Sequence, residues 1–209
     1  FRPIDTPPQA YDAPAVRQDT GAAQTALAAD DKGTLDLGEY QNVDCIRARD
    51  GLVYAAACDG AALKKCSSDL VRTDGGHTAA VLTVDGELTG FAFDGSGDLW
   101  LSILTPGGGS LCRAAHDSWG TAVEQVVTQI DGAPLGAVSA VEAAPDGRIY
   151  FAVAAAAGAA DGLESTLRTE LLAHTGTGCV YVYDPAARSV QKVLGGVAGA
   201  AGLALSPDG

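Results

Sequence analysis

Phe91-Ala92-Phe93-Asp94-Gly95-Ser96-Gly97-Asp98-Leu99-Trp100-Leu101 is the stretch on which the fold turns. Two short apolar and aromatic runs flank a turn rich in Gly and Asp, which is the pattern of a β-hairpin. The unit recurs upstream as Cys45-Ile46, Asp50-Gly51 and Leu52-Val53-Tyr54. Downstream it recurs as Val138 to Val141, Pro145-Asp146-Gly147 and Arg148-Ile149-Tyr150-Phe151. A further copy opens at Leu203-Ala204-Leu205, before Pro207-Asp208-Gly209. Turn glycines 51, 97 and 147 stand 46 and then 50 residues apart. A repeat of that length, with room for four strands per unit, is what a β-propeller blade requires.

Working outward, the propeller texture is expected over 41–209, with blades at about 42–85, 86–131 and 137–196 and the start of the next at 197–209. Outer strands can be read as well, at Ala61 to Cys66 and at Val180 to Tyr183. Leu163 to Leu172 has helical spacing and marks a helical insertion at about 158–176. Residues 1–40 carry four of the nine prolines within their first fourteen positions and read as an extended arm, with a short helix near Thr20 to Asp30. Three blades and the start of a fourth leave sheet edges unpaired, so the remaining blades are expected on another chain or outside this sequence.

Composition narrows the function classes. The formal net charge of −13, with 13 scattered Lys and Arg, argues against nucleic acid as a partner. The longest apolar run, Ile149 to Ala160, is too short to span a bilayer, so no transmembrane segment is expected. The chain opens at Phe1 with no charged-then-apolar leader, which fits removal of an upstream signal or anchor and a lumenal or extracellular place in the secretory pathway. Cys45, Cys58, Cys66, Cys112 and Cys179 form no CxxC pair and stand at no zinc spacing with His. Buried free thiols and one or two disulfides are equally compatible with that pattern.

Several motifs, in order, resemble one family. Gly178-Cys179-Val180-Tyr181-Val182-Tyr183-Asp184-Pro185, then Val193-Leu194, then Gly202 to Gly209 resemble the strand and blade entry of strictosidine synthase-like proteins. Tyr54 to Gly60 and Gly147 to Ala155 are similar to earlier motifs of the same family, and Pro3-Ile4-Asp5 to the arm of its adipocyte plasma membrane-associated branch. The resemblance implies an all-β, six-bladed β-propeller of the gluconolactonase and paraoxonase superfamily, with about three blades plus the start of a fourth in this chain. It also implies the superfamily's chemistries: amine and aldehyde condensation by a glutamate, or lactone and ester hydrolysis at a divalent ion held by Glu, Asn and Asp.

Matched residue by residue, that site is largely missing. Asp44 stands at the first acid and is the one candidate metal ligand, with a solvated or turn-capping role as the alternative. Ser139 and Ala140 replace an Asn-Asp pair, Val153 and Ala201 replace an Asp and an Asn, and Leu101-Ser102-Ile103 lacks a further Asp. One ligand does not hold calcium, so no cofactor is expected unless residues outside this sequence complete the site. An apolar channel that takes a small apolar ligand is expected instead. His77, His116 and His174 read as solvated, Gly107 to Ser110 as a flexible hairpin loop, and Trp100 and Trp119 as blade packing. The expected function is a pseudoenzyme with a binding or structural role, whose propeller a protein partner or second chain completes. The alternative is an active superfamily enzyme, a calcium-dependent lactone or ester hydrolase or an amine-aldehyde condensing lyase, with its catalytic residues beyond Gly209.

Overall fold

The computed structural model describes residues 37, 40–59, 67–73, 77–156 and 162–206. Within them lie three four-stranded antiparallel sheets, each a meander in chain order. The first contains β1 (Tyr40–Arg49), β2 (Leu52–Asp59), β3 (Ser67–Thr73) and β4 (Thr78–Asp85). The second contains β5 (Glu87–Phe93), β6 (Leu99–Thr105), β7 (Gly108–Ala114) and β8 (Glu124–Val127). A short ribbon, β9 (Gln129–Ile130) with β10 (Ala133–Pro134), leads to the third sheet. That sheet contains β11 (Val138–Ala143), β12 (Ile149–Val153), β13 (Gly178–Asp184) and β14 (Ser189–Val197), with helix α1 (Leu163–Ala173) between β12 and β13. Successive four-stranded meanders are propeller blades, and the protein is an all-β propeller fold.

The sequence repeat is a repeat of the first hairpin in each blade. In the second blade the hairpin closes through Asp94 N to the Asp98 carbonyl at 3.0 Å, and in the third through Ala144 N to the Arg148 carbonyl at 2.8 Å. Gly97 and Gly147 carry the left-handed turn position at φ 90° and 86°. The first blade uses a two-residue turn, with Asp50 at φ 52° and Gly51 at φ 77°, which is why its turn is shorter in the sequence.

The second blade is apolar on both faces. Leu88, Phe91, Leu99 and Leu101 pack against Tyr54, Leu70, Leu82 and Val84 of the first blade. Trp100, Leu104 and Leu111 pack against Val138, Val141, Ile149 and Phe151 of the third. This explains why Phe91 to Phe93 and Leu99 to Leu101 read as unbroken apolar runs, since strands covered on both sides need no polar face.

Helix α1 is short for an isolated helix, and two buried carboxylates anchor its ends. Glu87, at the start of β5, accepts the Leu163 N–H at 3.0 Å, where the helix dipole favours a negative charge. Glu170 accepts the Thr177 N–H at 2.6 Å and the Thr175 hydroxyl, which fastens the chain that returns to β13.

The strand expected at Leu203-Ala204-Leu205 is not formed, because a strand needs a ladder partner and residues 201–206 have none among the described residues. Apart from residues 37 and 40, the N-terminal arm with its helix near Thr20 to Asp30 lies outside the described residues, as does the strand expected at Ala61 to Cys66. No helix among the described residues is long and apolar enough to cross a membrane.

Candidate functional site on the inner strands

The first strands of the three blades lie side by side and form an inner arc. Cys45 Sγ of β1 is 3.9 Å from the Phe91 carbonyl oxygen of β5. A Cβ on Gly90 of β5 would stand 3.3 Å from Ala140 Cα of β11, so glycine there permits the close approach. All three strands carry a β-bulge at the same place. The register slips at Val43/Cys45 in β1, at Leu88/Gly90 in β5 and at Val138/Ala140 in β11. The residues left out of the ladders are Asp44, Thr89 and Ser139. A bulge re-aims one side chain out of the pleat, and at each of these three the re-aimed residue is polar.

Two of these three, Asp44 and Ser139, are positions singled out in the sequence, but their surroundings are not those of a metal centre. Asp44 is exposed. Ser139 is buried, with Oγ 2.5 Å from the Ala200 carbonyl oxygen and 3.3 Å from that of Ala152, so its single proton is held by backbone. Thr89 is buried too, with Oγ1 2.9 Å from Ser102 Oγ, while Ser102 donates to the Gly90 carbonyl at 3.1 Å. Val153 is buried, Ala140 half-buried and Ala201 exposed, and none offers a side-chain donor atom. No group of three or more His, Cys, Asp or Glu that could hold a metal ion occurs among the described residues. Calcium takes six to eight oxygen ligands, and this donor set does not fit it.

Three residues beyond each bulge lies a second level that the sequence reading missed. Those positions are Arg47, Ala92 and Glu142. Arg47 Nη2 and Glu142 Oε1 form an ion pair that joins the first blade to the third. The small Ala92 stands at the same level of the strand between them. Burial pushes the Glu142 carboxyl above its ordinary value, and the attraction of Arg47 recovers only part of that shift. The expectation of an apolar channel is therefore corrected: the inner arc carries two buried hydroxyls and a charged pair. Glu142 was legible as the one charged residue of its strand, but its partner, 95 residues away, was not.

The remaining candidates separate from this arc. His77, His116 and His174 are exposed. His116 packs edge-on to Trp119 at 5.0 Å, and its N–H donates to Asp98 Oδ1 at 2.8 Å. Gly107 lies in the tight β6–β7 turn, while Gly108 to Ser110 already belong to β7. Trp100 is buried and donates its indole N–H to Asp94 Oδ2 at 2.9 Å, which is a packing role. Cys45, Cys58, Cys112 and Cys179 are free thiols, and Cys66 lies outside the described residues.

No protein-family model and no curated protein matches the chain. Solved structures do. A gluconolactonase from Xanthomonas campestris is 16% identical, with a TM-score of 0.48 over 68% of this chain and 43% of that one. The calcium-binding protein regucalcin from Agrobacterium tumefaciens is 11% identical, with a TM-score of 0.45 over 68% of this chain and 41% of that one. The chain thus spans less than half the length of each of these gluconolactonase- and regucalcin-type structures.

Proposed function

We propose that this chain is part of a propeller protein of strictosidine synthase-like type that binds a ligand or partner without a metal ion and without the superfamily's hydrolytic chemistry. The observation that carries the reading is the state of the bulge residues. Each blade carries the backbone device that turns a side chain out of the ladder, yet the side chains in the second and third blades are hydroxyls spent on groups of the protein itself. A hydroxyl committed to a buried carbonyl is costly to recruit as a ligand, since the carbonyl would be left unpaired.

One observation favours an active enzyme instead. Glu142 is a partly buried carboxyl that holds its proton more tightly than an ordinary glutamate, which is the tuning a general acid uses. The two readings part in one experiment. Calcium at millimolar concentration is expected to leave the melting temperature of the chain unchanged, and a panel of lactones and esters to be hydrolysed no faster than in buffer. A calcium-dependent rise in melting temperature, or hydrolysis that Glu142→Gln abolishes, overturns the binding-protein reading.

A further inference from the structure

A cleft of about 500 Å³ opens between the second and third blades at the hairpin-turn end of the sheets, beyond the inner-arc bulges. Its walls come from the β5–β6 turn, β6, β7 and β8 on one side and from the β11–β12 turn, the end of β13 and the β13–β14 turn on the other. Every residue of its lining lies within the described residues.

Five charged side chains line the cleft: Asp94, Asp98, Glu124, Arg113 and Arg188. Three of them are occupied. Asp94 accepts the Ser96 and Asp98 N–H groups at 2.9 and 3.0 Å, the Ser96 hydroxyl at 2.7 Å and the Trp100 indole at 2.9 Å. Asp98 takes Arg113 Nε at 2.8 Å and the His116 N–H at 2.8 Å. These contacts tie both carboxylates of the floor, and the Arg113 edge that faces Asp98, to groups of their own blade.

Arg188 and Glu124 are different. Glu124 is close enough to Arg113 to act on its charge but makes no ion pair with it, and Arg188 has no hydrogen bond or ion pair among the described residues. Arg188 also sits at φ 50°, in the left-handed region where glycine is favoured and a long side chain is strained. Arg188 and Glu124 are both exposed, so each presents its charge to the open cleft from its own wall.

We propose that this cleft binds a small zwitterion, from an α-amino acid to a dipeptide in size, with its carboxylate on Arg188 of the third blade and its ammonium on Glu124 of the second. An anion alone is opposed by three carboxylates against two guanidiniums in the lining, and a cation alone leaves Arg188 unused. The planar guanidinium fork suits a carboxylate, and the neighbouring Asp94 and Asp98 add negative potential at the ammonium end. The site is independent of the inner arc and of the function proposed for it.

Trp100 supplies the reporter, because its indole N–H belongs to the cleft floor while the other tryptophan, Trp119, does not line the cleft. Alanyl-alanine titrated into the 15N-labelled chain is expected to shift the Trp100 indole resonance saturably and to leave that of Trp119 in place. N-acetyl-alanyl-alanine and alanyl-alanine amide, each lacking one charge, are expected to bind about tenfold more weakly or not at all. Arg188→Gly relieves the strained turn, so its melting temperature is expected to equal or exceed that of the parent while affinity falls by about tenfold or more. Absence of a saturable Trp100 shift, equal binding of the blocked dipeptides, or unchanged affinity in Arg188→Gly would each overturn the proposal.

Discussion

Glu142 and Asp94 show how the same residue class is driven in opposite directions by its surroundings. Both are pushed up by burial. At Asp94 four hydrogen bonds outweigh that push and hold the carboxyl below its ordinary 3.8, whereas at Glu142 the single guanidinium of Arg47 does not. The consequence for stability has a definite sign. Glu142 binds its proton more tightly in the folded chain than in the unfolded one, so its contribution is fully present below pH 4.5 and is lost as the pH rises through the folded value. Glu142→Gln cannot ionise, and the stability of the parent relative to this variant is expected to fall as the pH climbs from 4.5. Urea unfolding at a series of pH values measures it; a parent that gains on the variant with rising pH would mean that Arg47 outweighs burial.

At the scale of elements, the blades are held close by backbone rather than by bulky side chains at one point. Gly109 of β7 lies against the segment before β11, its N–H bonded to the Leu135 carbonyl at 2.8 Å. A Cβ on Gly109 would fall inside the contact radius of the Gly136 carbonyl oxygen and stand 2.9 Å from Val138 Cγ1. Gly109→Ala is therefore expected to cost about 2 kcal/mol, because a strand must move rather than a flexible side chain. Gly95 lies in the β5–β6 turn with nothing within 4 Å of the same construction, so Gly95→Ala serves as the near-neutral control. Thermal melts of the two variants compare them directly, and equal shifts would refute the close-packing account.

For the whole molecule the second blade is the keystone, since both larger core clusters draw on its faces. Phe91 is fully buried between the first and second blades. Phe91→Ala is expected to lower stability by about 3 to 4 kcal/mol and to do so in a single transition, because the clusters share one sheet and cannot melt independently. Two separated transitions in calorimetry would show that the blades unfold as units of their own.

Much of this was legible in the chain. The hairpin Phe91 to Leu101 and its copies specify the blades, since a Gly- or Asp-borne positive φ between two apolar runs has few other solutions. Asp44 and Ser139 could be placed on inner strands from the same repeat. Thr89 was missed because a bulge is a property of pairing: it exists only where two residues face one, and no single strand records that. The Arg47–Glu142 pair and the cleft between the second and third blades were likewise invisible, because they depend on which blades are neighbours and how far their strands are staggered. The sequence by itself determined the repeat, the turns and the blade architecture through local backbone preference. Which polar groups meet, and which are spent on backbone or left facing a cleft, was decided only by tertiary packing, where distance in the chain no longer measures distance in space.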